Sequence, residues 1–598
     1  MFALASRIII GGMPFSLAVA HAQTSNSAPA AADAARQNEE VLRAWKQQSG
    51  SAVELKTDGD GGTKIEFHGE VKLDTYNKDV SAPAGSGNLL TPNTSGNFAN
   101  LVTRGDLRIT SEKGEVTYAQ GTVTATNDRT VLSHYPNQLT NFQMGRTGQG
   151  YQWMLGDVAV NYSQLSSNLG LRGFYGTMQF DRYTLSGHAG VVAESWEALA
   201  DRDTLDGTLA RTRYLRDVYG LKLERAFAQG LKVYATAQSY DDVEGSLPSA
   251  SATVAPASTR SITSGFAYQE GQLNLSGEIA GSRYQEKFQE LRTGHASILD
   301  GTYQYDALRF RGGYHNVSPS YVSLAQSVSP GLRESYFGSD WTAATWLTLG
   351  AEYRDSNLTT ASYTPLPAPA IPPLPPLATI VGTTTMTKSM TSRAAINFGP
   401  DLPGWSVTLQ DTHTKVTDPT GAESPTTNLL TTLNYSSQTW NGMVSVGSGR
   451  VTNSASPQAD SKTSTWQAQL GRQFSGATPD MPASWTANAS VTAGRQVQDL
   501  VNAGTSTTTT NYGLVFAFQR PNSWVINGSL ADSIATQPTG GPDLKTIRLQ
   551  FDASYPISVG LKAPASFKTY WRDNLMNVGD PLLRTRETVI GVLVTYAW

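Results

Sequence analysis

Hydrophobic and polar residues alternate one by one along much of this chain, the periodicity of a β-strand with one apolar and one polar face. In residues 63–74 one face carries Ile65, Phe67, Gly69, Val71 and Leu73, and the other Lys64, Glu66, His68, Glu70, Lys72 and Asp74. The division recurs with Leu107 and Ile109 against Arg104, Asp106 and Arg108. It returns with Leu308, Phe310 and Tyr314 against Arg309, Arg311 and His315, and near the end with Ile547, Leu549, Phe551 and Tyr555 against Arg548, Gln550 and Asp552. A soluble sandwich hides its apolar faces in a core, whereas a membrane barrel turns them to lipid and its charges to the lumen.

The spacing of turn residues separates these two architectures. Clusters of Gly, Pro, Asn, Asp and Ser delimit about 26 segments of roughly 8 to 13 residues, near the length at which a tilted strand crosses a bilayer. Short linkers (Ser111 to Gly114, Tyr305-Asp306, Ser436 to Gln438, Pro521-Asn522) alternate with long ones at 78–98, 193–211, 242–260, 316–331 and 355–385. The pattern predicts an all-β, transmembrane, antiparallel up-and-down β-barrel with short turns at one rim and long loops at the other. Trp346, Trp405, Trp440, Trp485 and Trp524 each follow a short linker, which sets all five at one membrane interface, where an amphipathic ring is favoured.

The two ends of the chain add to this picture. Arg7, the apolar stretch Ile8 to Ala20 and the small residues of Ala20-His21-Ala22 have the layout of a secretory signal over residues 1–22. Residues 23–62 are expected to be a flexible and partly helical lead, periplasmic or inserted in the lumen. Its helix lies over Ala31 to Gln48, with Val41, Leu42 and Trp45 on one side. The barrel then occupies 63–598. Its last strand presents Thr588, Ile590, Val592, Val594, Tyr596 and Trp598 on one face. An apolar face ending on an aromatic resembles the signal read by the barrel-assembly machinery of bacteria, with Tyr596 and Trp598 as the assembly signal. Phenylalanine is the usual last residue of that pattern.

Composition narrows the function. Charged residues make up 16% of the chain and the formal net charge is -4, which leaves no basic footprint for nucleic acid. Mean hydropathy is -0.31, and no later run approaches the roughly 18 to 20 apolar residues of a membrane helix, so membrane crossing requires strands. With no cysteine, disulfides, thiolate metal sites and thiol nucleophiles are excluded. The seven histidines show no metal-ligand spacing, and neither a nucleophile elbow nor a phosphate loop is present, so neither cofactor nor enzymatic activity is expected. His413 beside Asp411 is the one faint catalytic candidate. The proline-rich run Thr364 to Leu377 reads as a stiff spacer in the longest loop.

The segment Leu155 to Gly173, with Gly156-Asp157, Ser163-Gln-Leu165 and Leu171-Arg172-Gly173, resembles a hairpin of fimbrial usher-type and related secretion barrels. The resemblance covers about twenty residues and brings neither the plug nor the folded periplasmic domains of that family, although barrels near 22 strands are plugged in known architectures. Something must fill so wide a lumen: infolded loops, the 23–62 segment, a partner or a polymer in transit. The expected role is an outer-membrane conduit for solutes, a surface polymer or protein. Its lumen is lined by Lys64, Glu66, Glu70, Lys72, Arg104, Asp106, Arg108, Arg309, Arg311, Arg548 and Asp552. Two other roles stand beside it: a scaffold sheathing a partner protein, which would resemble the barrels of porin-cytochrome complexes, and an outer-membrane hydrolase. Outer-membrane lipids are expected partners in each.

Overall fold

The computed structural model describes residues 53–55 and 63–598, apart from 82–94, 130–135, 201–213, 228–229, 248–254, 288–290, 324–327, 361–381, 477–483, 522, 537–542, 558–564 and 578–583. A short strand β1 (Val53–Leu55) leads into 26 long strands, from β2 (Lys64–Ser81) and β3 (Gly96–Thr110) through to β26 (Ala565–Asn577) and β27 (Thr585–Ala597). Each long strand pairs antiparallel with the next, and β27 pairs with β2, which closes the sheet on itself. Closure removes the exposed edges that an open sheet of this size would present. At the seam Trp598 and Gly69 exchange backbone hydrogen bonds of 2.8 and 2.9 Å, and β1 continues the pairing on β2 beyond that point. A Cβ on Gly69 would lie 2.3 Å from the Trp598 ring, so glycine there gives the terminal indole its seat.

The proposed helix over Ala31 to Gln48 and the proline-rich run lie outside the described residues. The one described α-helix is a single turn, Trp196–Ala200, within a segment read as loop.

The strands run from 10 to 18 residues, longer than the turn signals suggest. β-Pairing continues beyond the bilayer because the ladder does not depend on lipid, whereas the apolar alternation ends where lipid ends. The linkers shorten accordingly: the longest loop shrinks from 355–385 to the residues between Thr360 and Thr383. Strict alternation of short and long linkers also needs correcting. At the loop rim the connections 162–167, 287–291, 418–422 and 501–504 are short, while 476–485 at the turn rim is long.

Candidate functional site: the barrel interior

Directly paired residues on neighbouring strands share a face of the sheet. Starting from Glu66, the register can be followed through Arg108, Tyr118, Gly145 and Met154 around the ring to Tyr570, which donates a 2.8 Å hydrogen bond to Asp74 on β2, across the intervening β27. Side chains on strands that are not neighbours converge only on the concave side, so this is the interior. The opposite face carries exposed Phe67, Leu101, Leu221, Ile262, Ile279, Phe337, Leu409, Val446, Leu470, Val491, Leu514, Phe551 and Ile590. Ile262 and Ile279 are 68% and 66% exposed, which no water-facing surface of a monomeric protein repeats as a continuous belt. The chain is a transmembrane β-barrel of the outer-membrane type.

No family model matches this barrel, and no curated relative does. Among solved structures it is similar to the P pilus usher (PapC) translocation pore, with 11% identity, 89% of this chain and 99% of that chain covered, and a TM-score of 0.32. It is also similar to the siderophore receptor PirA from Pseudomonas aeruginosa (10% identity, 89% and 80% covered, TM-score 0.37) and to OmpT of Vibrio cholerae (14%, 51% and 90%, 0.26). Similarity at this level says nothing of activity.

The sequence-selected charges lie in separate clusters. Lys64 and Glu66 pair at 2.7 Å with Arg108 at 3.9 Å from Glu66, Arg104 pairs with Asp106 at 3.0 Å, and Lys72 with Glu70 at 2.5 Å. The guanidinium of Arg311 bridges Asp340 (2.5 Å) and Glu352 (2.8 Å), in a network with Arg354, Arg393 and Glu334. Asp552 accepts from Asn527 and pairs with Lys568 at 3.2 Å. Arg309 and Arg548 make no ion pair among the described residues; Arg309 faces Asp340 and Arg548 faces Asn574 in register. Between the Arg311 and Asp552 clusters lie β18 (Trp405–Thr417) to β24 (Val525–Thr536), whose interior face has no charged residue. Thr408, Gln410, Asn428, Gln467, Gln496 and Asn511 are representative of it. The charges of these strands, such as Lys415, Arg450 and Lys462, are on the outer face.

The five tryptophans lie at the turn rim, with Trp405 against Tyr435 (4.8 Å), Trp485 against Phe518 (6.1 Å), Trp524 against Tyr555 (5.0 Å) and Arg472 over Trp440 (4.8 Å). Trp346, at the same rim, is 51% exposed. Tyr596 stacks on Trp598. Asp411 and His413 touch at 2.9 Å, on the outer face of one strand.

The feature that sequence reading missed is a hairpin that leaves the wall. β5 (Asn137–Gly148) pairs with β6 (Tyr151–Asn161) only up to Gly156, and β7 (Asn168–Phe180) pairs with β8 (Tyr183–Val192) only from Arg172 onward. Beyond those points β6 and β7 pair with each other alone. Gly156 and Gly173 are register partners at the departure point. Gly156 has φ +111°, and Cβ atoms at the two positions would lie 2.2 Å from the carbonyl oxygens of Phe142 and Ala189. Only glycine allows the neighbouring backbone so close. The freed donor of Phe142 is capped by the Asp157 carboxylate, which also accepts from Trp196 Nε1, both at 2.8 Å.

The hairpin folds onto the inner wall of the barrel. Val158, Val160, Tyr162, Leu169 and Leu171 bury against Val218 and Tyr240, while Leu165 at the tip buries with Ala296, Ile298, Val317 and Tyr321. Each such aliphatic side chain contributes about 1.5 to 3 kcal/mol. At the tip the Glu278 carboxylate accepts from the backbone N–H of Gln164 (3.1 Å) and Leu165 (3.0 Å). The Tyr321 hydroxyl donates to Leu165 O (2.5 Å), Ser323 Oγ to Ser166 O (3.0 Å), and Lys222 Nζ to Tyr162 O (3.1 Å). Backbone around Tyr321 lies flat on the wall because residue 294 is glycine: a Cβ there would sit 2.3 Å from Tyr321 Cα. A signal was present in Val158, Val160, Leu169 and Leu171, apolar at positions whose face should line water.

The latch has a defined pH window. Burial pushes the Tyr321 hydroxyl from 10.0 up to about 12, and burial raises Tyr162 as well. A tyrosine whose folded value is raised contributes its stabilisation fully below about pH 10 and loses it as pH climbs through the folded value. Spin labels on the hairpin tip and on the wall beside Tyr321, read between pH 8 and 12, should therefore show the hairpin held at pH 8 and increasingly released above pH 10. Tyr321→Phe should have a weaker alkaline component.

Proposed function

We propose that this protein is a gated conduit of the bacterial outer membrane, its short turns in the periplasm and its loops outside. The observation that supports this most is the hairpin of β6 and β7, detached from both wall neighbours and held against the inner wall by hydrogen bonds to a strand and a loop more than a hundred residues away. A structural brace would gain more by staying in the ladder. A hairpin folded inward narrows the channel, and it is held by two apolar clusters and a handful of polar contacts at its tip that a cargo or partner could replace.

The wall on the far side fits passage of a hydrated cargo. Most of the interior charges elsewhere are paired within clusters, Arg309 and Arg548 apart, and the uncharged Thr, Ser, Asn and Gln surface of β18 to β24 offers hydrogen bonds without fixing an ion. Purified protein in a planar bilayer should give small, rarely opening currents with little preference between cations and anions. A steadily open pore, or strong selectivity for one sign, would contradict this reading. A barrel that sheathed a partner would conduct only after that partner was stripped away.

A further inference from the structure

On the outer face, at the loop rim, the register brings like charges together. Lys388 on β17 (Thr383–Asn397) is directly opposite Lys415 on β18, and Arg450 on β20 (Trp440–Val451) is directly opposite Lys462 on β21 (Ser461–Ser475). Like charges facing each other across a ladder destabilise it unless a counter-charge sits between them. Lys388 and Lys415 have such partners within the chain, Asp355 at 3.5 Å and Glu423 at 2.6 Å. Arg450 and Lys462 make no ion pair among the described residues. Asp499 is the register partner of Lys462 on its other side but makes no ion pair with it, and Thr427 is opposite Arg450. Asp411 and His413, also on this face, engage each other.

The height of the pair above the turn rim identifies what it meets. Arg450 is ten residues above Trp440 on one strand, as Lys415 is above Trp405. At about 3.4 Å per residue and a tilt near 45°, ten residues rise about 24 Å, the height of the lipid-facing band of such barrels, about 25 Å. Just below the pair the outer surface exposes Val444, Val446, Trp466 and Leu470, with Arg495 opposite Trp466. Two cations without an ion pair, above a largely apolar wall, match an amphiphile with an anionic head and acyl chains, not a free anion. We propose that Arg450 and Lys462 bind the phosphate of a phosphorylated glycolipid of the lipid A class, from the leaflet at the loop rim. The inference rests on the outer-membrane part of the functional reading and not on conduction.

The test uses the full-length protein in detergent, with diphosphoryl lipid A as the probe and native mass spectrometry as the readout. Arg450→Gln with Lys462→Gln should weaken lipid A retention by roughly tenfold or more, since each cation near a headgroup contributes on the order of fivefold. The unchanged heat-modified gel shift of the variant would show that the barrel still forms. Lipid A stripped of its phosphates should bind wild type as poorly as intact lipid A binds the variant. Equal retention by wild type and variant overturns the proposal, as does equal binding of the dephosphorylated lipid. Displacement of lipid A by millimolar inorganic phosphate would assign the site to a free anion and also overturn it. Because no current is measured, a barrel that proves not to conduct leaves this outcome readable.

Discussion

Replacing residues 158–171 by an Asn-Gly turn should give a steadily conducting barrel, with mean current raised over wild type on the order of tenfold or more if the proposed gating holds. The shortened β6 and β7 would still pair from Gly156 and Gly173 downward, as they do now, so the wall below the hairpin keeps its ladder. Point changes at the tip grade the same effect. Glu278→Ala leaves the N–H groups of Gln164 and Leu165 without their acceptor, a loss of about 3 kcal/mol that shifts the latch roughly a hundredfold toward open. Tyr321→Phe removes one hydrogen bond, about 1 kcal/mol and roughly fivefold. The two residues hold the same loop, so their effects should not add. If the deletion variant inserts normally and its currents match those of wild type, the hairpin is not what restricts the channel.

The second large effect concerns assembly. Leu514 on β23 (Thr505–Gln519) faces outward between Val491 and Leu530, and Leu530 is six residues above Trp524, close to mid-height of the band. Leu514→Arg therefore puts a cation into hydrocarbon and should cost about 2 to 4 kcal/mol, read as a fall in folded fraction during refolding into lipid vesicles. Asn511→Arg, three residues away on the interior face between Gly494 and Ser533, should refold like wild type. Leu549 gives a poorer test, because it is opposite Asp573, where an introduced arginine would find a partner. Equal refolding of both arginine variants would mean that the two faces had been exchanged.

Alternation in the sequence is enough to sort residues such as Glu66, Arg108, Arg311 and Asp552 from Phe67, Leu107 and Phe551, because period 2 is a property of each strand by itself. Tryptophan spacing is local in the same sense, since a turn and the ring that follows it are a few residues apart. Strand ends were less legible: Lys388 and Glu423 belong to strands that continue past the lipid, where both faces become polar and the alternation fades. The Arg450 and Lys462 pair was invisible, because facing charges are a matter of register, which turn lengths determine.

What the sequence determines here is thus the class of structure, the two faces of each strand and the rim at which the turns gather, all consequences of backbone geometry over ten residues or so. Only the tertiary structure decides that β27 closes on β2, and that the hairpin of β6 and β7 leaves the wall. The segment from Leu155 to Gly173 keeps the two-residue period of its neighbours; Val158, Val160, Leu169 and Leu171 mark its lumen face as apolar, but nothing local says where that face will be buried. Its position depends on Glu278, Gly294, Tyr321 and Ser323, residues 113 to 157 places away for those bonded to its tip. An acceptor, a flat stretch of wall and a buried hydroxyl come to meet Leu165 only once the sheet has curved enough to bring Glu278, Gly294 and Tyr321 within reach of the hairpin tip.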